Sequence, residues 1–198
     1  MNLTSIFENI YENKKWGINF ANMGSSGPGS HISQVKEYML ILQEFLDNNN
    51  VKSVIDIGCG DFQFMRHMNL KNVQYTGIDC VEKLIIFNKK HFEKENITFL
   101  HRELSEHEFD FAELYLIKDV LQHLSNDIIC DFLDYIVIQK LAKYIIITNC
   151  SNQDFDNQDV ESIGQTRPLN AKLFPLKKYN PVVLKEYNGK QVSLIIIS

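Results

Sequence analysis

Asp56, Gly58, Cys59, Gly60 and Asp79 are the residues of this chain whose types and spacing could do chemistry. The run Val54-Ile55-Asp56-Ile57-Gly58-Cys59-Gly60 is apolar up to a carboxylate, then breaks at two glycines around one small residue. That pattern describes a buried parallel strand entering a turn whose backbone can come close to a ligand. A second apolar segment, Val73 to Ile78, ends at Asp79. An acidic residue roughly 20 positions beyond a glycine turn is placed to hold the hydroxyls of a ribose. Together the two strand ends describe a nucleoside site.

The details choose among nucleosides. A nicotinamide fingerprint needs a third glycine, and Phe64 and Met65 fill that region. Asp56 would repel a pyrophosphate, whereas a cationic ligand reverses the argument. S-adenosylmethionine carries a sulfonium and an α-ammonium and has no phosphate. A hydroxyl that accepts a methyl group must lose its proton, and an imidazole titrating near neutrality suits that task. Asp119-Val120-Leu121-Gln122-His123 is therefore the candidate catalytic segment, with His123 as general base and Asp119 beside it. A histidine that packs or caps at a helix start fits His123 equally well. His31, in a Gly/Ser loop, is a second candidate base. Lys118 suits an anionic group, and Arg167 in a long loop suits a phosphate or carboxylate.

These residues need a scaffold. A chain of 198 residues, 44% hydrophobic, fits one domain with a substantial core. Apolar runs ending at turns alternate with helical spacing: strands at Lys52–Ile57, Gln74–Ile78, Ile97–Leu100, Phe111–Ile117 and Tyr144–Thr148, and helices at Val35–Leu46, Phe62–Met68, Glu82–Lys94 and Asp127–Leu141. This alternation predicts a doubly wound α/β fold with a mostly parallel sheet. Val182–Tyr187 and Gln191–Ile197, joined through Asn188-Gly189, predict a C-terminal antiparallel hairpin and seven strands in all. A short helix should occupy part of Ile6–Phe20, and Asn22 to His31 should be irregular, a flexible linker or a loop that folds over a ligand, with Ser30 placed to cap the next helix. Ser151 to Asn180 has few apolar residues and reads as a lid, a binding loop or a disordered stretch.

Composition narrows the setting. The net charge is −5 and the basic residues are scattered, which argues against nucleic acid as partner. No apolar run approaches the roughly 20 residues of a membrane span. The beginning, Met1-Asn2-Leu3-Thr4-Ser5, lacks the layout of a signal peptide, so a cytoplasmic location is expected. Cys59, Cys80, Cys130 and Cys150 form no CxxC pair, so reduced thiols and no metal site are expected.

Val54-Ile55-Asp56-Ile57-Gly58-Cys59-Gly60 resembles the first motif of the class I S-adenosylmethionine-dependent methyltransferases. Gly77-Ile78-Asp79 resembles their second, and Phe111 to Leu124 is similar to their fourth-strand region. More narrowly, Trp16-Gly17, Ser26-Gly27-Pro28-Gly29-Ser30, Cys59-Gly60-Asp61-Phe62 and Lys118-Asp119-Val120-Leu121-Gln122-His123 resemble a little-characterised bacterial subgroup, some of whose members belong to surface-glycan modification. The resemblance implies a Rossmann-like methyltransferase domain over residues 35–198, with residues 1–34 forming a lid. It implies that Asp56, Gly58 and Gly60 line the methionine moiety, with Cys59 in the same turn. Asp79 would hold the ribose, Cys80 and Val81 would lie beside the adenine, and Glu103 would reach the adenine amine. Lys118 and Asp119 would face the methionine end and the substrate. One departure is Phe62, which stands at the position of a third motif glycine. The expected function is methyl transfer from S-adenosylmethionine to a small acceptor, leaning to O-methylation of a sugar, a nucleotide-sugar or a related metabolite. The alternatives are a nicotinamide-dependent oxidoreductase and a cofactor-binding protein without turnover.

Overall fold

The computed structural model describes residues 3–151 and 158–197. Seven strands, β1 (Ser53–Ile57), β2 (Gln74–Asp79), β3 (Ile97–His101), β4 (Ala112–Lys118), β5 (Ala142–Cys150), β6 (Val182–Tyr187) and β7 (Lys190–Ile196), form one sheet in the order β3-β2-β1-β4-β5-β7-β6. Four helices accompany them: α1 (Leu3–Glu12), α2 (Ile32–Asn48), α3 (Glu82–Phe92) and α4 (Asn126–Ile138). The expected α/β sheet, mostly parallel and finished by an antiparallel hairpin, is what the chain forms. No helix among the described residues is long and apolar enough to cross a membrane. The chain divides into two compact units, Met1–Glu103 and Leu104–Ser198.

In the first unit β1 and β3 flank β2 in parallel, with Asp56 opposite Gly77 and Asp79 opposite His101. Val54, Ile57, Tyr75, Ile78 and Phe99 are buried. Helix α2 buries Val35, Tyr38, Leu42 and Leu46, a stripe spaced by three or four residues. His31, not Ser30, occupies the N-cap position of α2, and its side chain makes no capping bond there. The helix expected over Phe62–Met68 is a single 3-10 turn at Met65–His67. Its cause lies in Phe62, whose φ of 54° is in the left-handed region, which a right-handed helix cannot include. The strain is offset by packing. The Phe62 ring lies 5.1 Å from Phe99, 5.3 Å from Tyr75 and 5.4 Å from Phe92, centre to centre.

In the second unit β5 pairs in parallel with β4 and antiparallel with β7, placing Lys118 opposite Thr148 and Cys150 opposite Lys190. Ser125 caps α4, its hydroxyl accepting the Ile128 N–H at 3.4 Å. Helix α4 buries Ile129, Phe132, Leu133 and Ile136, and stops at Ile138, short of the expected Leu141. Lys140 turns the chain there with a φ of 52°. Asn188 and Gly189 have φ of 46° and 72°, the two positive values a type I′ hairpin turn requires.

The stretch read as a lid, a binding loop or a disordered one is bonded to the rest of its unit at several of its described residues; residues 152–157 lie outside the described ones. Leu169 N–H donates to the Cys150 carbonyl at 2.8 Å, Arg167 N–H to that of Gln122 at 3.2 Å and Ala171 N–H to Gln191 Oε1 at 2.7 Å. Leu169, Ala171 and Leu176 are buried. Part of the stretch's apolar surface is thus packed inward, while Phe174 is exposed.

Phe62→Ala keeps the left-handed backbone of that position and removes the ring that stabilises it. It should cost about 3–5 kcal/mol of stability by urea denaturation, the scale of a buried aromatic truncated to alanine. A cost below about 1 kcal/mol would show that the ring cluster does not hold the turn.

Candidate functional site

The glycine turn is built around the carboxylate of Asp79. Gly58 N–H and Cys59 N–H both donate to the Ile78 carbonyl, at 2.8 and 3.0 Å. Asp79 closes the arrangement: its Oδ2 accepts Gly60 N–H at 2.9 Å and its Oδ1 accepts Val81 N–H at 2.9 Å. Burial pushes the Asp79 carboxyl above its ordinary range, and the Val81 and Gly60 N–H groups oppose that rise. Gly58 and Gly60 take φ of 69° and 55°, and a Cβ on Gly60 would strike the Ser26 hydroxyl. Asn88, fully buried on α3, donates Nδ2–H to the Gly60 carbonyl at 2.7 Å. Burial, with Asp79 and Asp56 adding to it, pushes the Cys59 thiol well up, so it packs as a thiol and not as a thiolate. Asp56 is buried and accepts the Tyr75 hydroxyl at 2.6 Å.

The N-terminal segment is bonded to this turn. The Ser26 hydroxyl donates to Asp61 Oδ1 at 2.8 Å and accepts Asp61 N–H at 3.0 Å. Its single proton is thereby committed, so in the 3.1 Å contact between Tyr11 and Ser26 the tyrosine must donate. Burial first, then the charge of Asp79, raises the Tyr11 hydroxyl well above its usual value and keeps that proton in place. At the far end of α1, the Thr4 hydroxyl donates to the Glu103 carboxylate. Glu12 pairs with Lys83 at the start of α3. Glu8, Tyr11, Met23, Val81, Lys83 and Leu84 border a cleft of about 160 Å³ between these elements. Cys80 is half-buried, and its carbonyl lies 2.9 Å from His101 Nε2.

In the second unit β4 ends in Lys118 and Asp119. The Asp119 carboxylate accepts Lys118 Nζ at 2.6 Å and Lys190 Nζ at 2.5 Å. Burial works to raise the Asp119 carboxyl, but the two ammonium groups outweigh it and hold the acid below its ordinary value. His123 ends a 3-10 turn, Leu121–His123, and is buried. Its Nδ1 lies 3.2 Å from the Gln165 carbonyl and 3.3 Å from the Thr166 hydroxyl. A carbonyl can only accept, so that bond requires the proton on Nδ1 and leaves Nε2 as the basic nitrogen. Burial holds the His123 pKa below the usual histidine value, with the Gln165 carbonyl working against it.

Arg167 is buried and turned to its own unit. Its guanidinium donates to the carbonyls of Gln158 at 2.6 Å and Leu124 at 2.9 Å, and to Asn126 Oδ1 at 2.9 Å. It pins its own loop to the start of α4. His31 is exposed at the head of α2.

No protein-family model matches the sequence, and no curated protein matches it. Solved structures do. Magnesium protoporphyrin IX methyltransferase from Synechocystis PCC 6803, bound to S-adenosylhomocysteine, aligns over 98% of this chain and 99% of its own, with a TM-score of 0.64 at 13% identity. The methyltransferase domain of the bacterial protein CtHen1 aligns over 81% of this chain and 98% of its own, with a TM-score of 0.63 at 18% identity. Human N-acetylserotonin methyltransferase, in complex with S-adenosylmethionine, aligns over 83% and 56%, with a TM-score of 0.58 at 16% identity. The fold is that of the class I methyltransferases. At such identities the likeness concerns the fold alone.

Within that methyltransferase fold, Gly58, Cys59, Gly60, Asp79 and Cys80 come together at the ends of β1 and β2, with Asp56 one step inside β1. Lys118 and Asp119 meet at the end of β4. Sequence reasoning missed Asn88, Tyr75, Ser26 and Lys190. Asn88 left a signal, since it interrupts the buried stripe Leu84, Ile85 and Phe87 of α3. Ser26 stood in one of the motifs, but its pairing with Asp61, 35 positions away, was not readable, and Lys190 left no signal, its partner standing 71 positions away.

Burial of His123 makes a pH prediction. The unfolded chain takes up a proton on this histidine near pH 6.5, while the folded chain, with its lowered value, resists it. The unfolded state therefore binds more protons as the pH falls through that region, and stability drops. Wild type should lose more stability than His123→Gln in urea titrations from about pH 7.5 to about pH 5.5. Parallel losses in the two proteins would show that His123 is not held neutral.

Proposed function

We propose that this protein is an S-adenosylmethionine-dependent methyltransferase. The reading is carried by the Asp79 carboxylate joined to the glycine turn within a methyltransferase fold. A carboxylate has about four lone-pair positions. Gly60 and Val81 N–H take two of them, which leaves capacity for the two hydroxyls of a ribose. The bare backbone at Gly58 and Gly60 suits the methionine portion, with Cys59 and Asp56 behind it. Cys80 would lie beside the adenine, and Glu103, steadied by Thr4, would meet the adenine amine. When bound, the cofactor supplies a methyl group already activated on a sulfonium. Residues 1–34 serve as a lid, tied to the glycine turn through Tyr11, Ser26 and Asp61. Residues 35–198 form the catalytic domain.

His123 is the proposed general base. Its lowered pKa and its Nδ1 bond to Gln165 support a neutral imidazole with Nε2 free of a proton at neutral pH. Asp119 and Lys118 join it as polar groups for the acceptor, and His31 serves from the lid loop. The acceptor we favour is a small molecule with a hydroxyl group, of the sugar or nucleotide-sugar class, methylated in the cytoplasm. The reading rests on the resemblance to the glycan-associated subgroup.

Asp79→Ala should weaken S-adenosylhomocysteine binding by about 1–3 kcal/mol in calorimetry, the scale of lost charge-assisted hydrogen bonds. An unchanged dissociation constant would remove Asp79 from the site, and binding of NAD in place of S-adenosylhomocysteine would overturn the methyltransferase reading. His123→Ala should lower turnover on a hydroxyl acceptor about 10²–10⁴-fold while cofactor affinity holds. Turnover equal to wild type would end its role as base.

A further inference from the structure

A fully buried amide in the first unit has no part in the scheme above. Asn88 lies within α3 beside Leu84, Ile85 and Phe87. Asparagine is a poorer helix former than leucine, and a buried amide is costly unless its groups are met. Here they are met only in part. A carbonyl can only accept, so the Gly60 carbonyl, 2.7 Å away, fixes which end of the amide is nitrogen. The same nitrogen lies 4.0 Å from the Cys59 sulfur. The amide oxygen has no hydrogen-bond partner among the described residues. Packing and helix propensity would favour an apolar residue at this position. What Asn88 contributes is one strong bond, made to the backbone of the glycine turn.

That bond falls on a hinge. Gly60 joins two peptide planes, each rigid, while the glycine between them is free to turn. The first plane carries Gly60 N–H, which Asp79 Oδ2 accepts at 2.9 Å. The second carries the Gly60 carbonyl and Asp61 N–H, held by Asn88 at one end and by Ser26 Oγ, at 3.0 Å, at the other. We propose that Asn88 is a positioning residue for the cofactor. By holding the second plane it keeps Gly60 N–H on Asp79, and so decides which lone pairs of the carboxylate remain for the ribose. The inference rests on the methyltransferase reading for the ligand, and on the Asn88 bond alone for the positioning. Asn88 stands on the helix that follows Asp79, so one continuous stretch of chain supplies both the carboxylate and the amide that clamp Gly60.

Cysteine is followed by glycine once in the sequence, at Cys59-Gly60. Full-length protein labelled with ¹³C-carbonyl cysteine and ¹⁵N glycine therefore gives one filtered amide signal in NMR, that of Gly60. Its position and its hydrogen exchange are read without ligand, and S-adenosylhomocysteine binding is read by calorimetry. The proteins are wild type, Asn88→Leu, Asn88→Ala and Ile85→Ala, the last removing buried volume from the same helix. Both Asn88 variants should bind S-adenosylhomocysteine about tenfold more weakly, the scale of one hydrogen bond. Their Gly60 signal should shift and exchange about tenfold faster or more. Ile85→Ala should keep the wild-type affinity and Gly60 signal even where urea shows it to be less stable. Wild-type affinity or an unmoved Gly60 signal in a folded Asn88 variant overturns the role. So does an equal loss of affinity in Ile85→Ala, or failure of both Asn88 variants to fold, either of which makes the residue merely structural. Failure of wild type to bind S-adenosylhomocysteine sinks the methyltransferase reading, while the Gly60 signal still decides whether Asn88 holds the turn.

Discussion

A carboxylate buried at the end of a strand is costly unless donors meet it, and Asp79 meets two backbone N–H groups from two different turns. That pair of bonds fixes the glycine turn against the end of β2. Much else follows from it. Gly60 must take a positive φ to aim its N–H at Asp79, and its carbonyl is then turned toward α3, where Asn88 receives it. Ser26 and Tyr11 close over the bare side of Gly60, where any side chain would collide with them. The charge is thus answered by the backbone, and the backbone conformation by neighbouring side chains. Removing the carboxylate would loosen a whole corner of the unit, beyond the loss of one contact.

The N-terminal segment is held in a single proton order. Tyr11 donates to Ser26, Ser26 donates to Asp61, and Asp61 N–H returns to Ser26. No member can reverse its direction without leaving another unsatisfied. The lid proposed for this segment therefore has one closed arrangement, with few polar bonds to break on opening. Packing adds to it, through the edge-on contact of Tyr11 with Trp16, 5.7 Å between ring centres.

The parts of the fold that were legible in the sequence are those governed by period and by turn chemistry. β1, β2 and β4 are apolar runs with an acidic or basic residue at or next to the last position, and Asn188-Gly189 announces the hairpin. The glycine turn and Asp79 were legible for the same reason, being local and spaced to a known geometry. The 3-10 turn at Met65–His67 was not, because apolar spacing cannot reveal that Phe62 sits in a left-handed conformation. The bonds that Arg167 and the 158–180 stretch make were not legible, because a polar composition does not show which groups its backbone will meet. The stretch's backbone bonds go to the carbonyls of Gln122, His123 and Cys150 and to the side chain of Gln191, which only the folded unit brings near. Lys190 drew no notice, since its partner Asp119 comes from a strand far earlier in the chain.

The bond between His123 Nδ1 and Gln165 is made to a carbonyl, not to a side chain. Whatever residue evolution places at position 165, the main chain supplies the same acceptor. The protonation pattern of the imidazole is thereby uncoupled from the identity of its neighbour and tied to the path of the loop, which Arg167 anchors at Leu124 and Asn126. Drift in the loop's side chains leaves the basic nitrogen where it is. A deletion that shortens the loop, or loss of its arginine anchor, would change the tautomer without altering a residue that touches the ring.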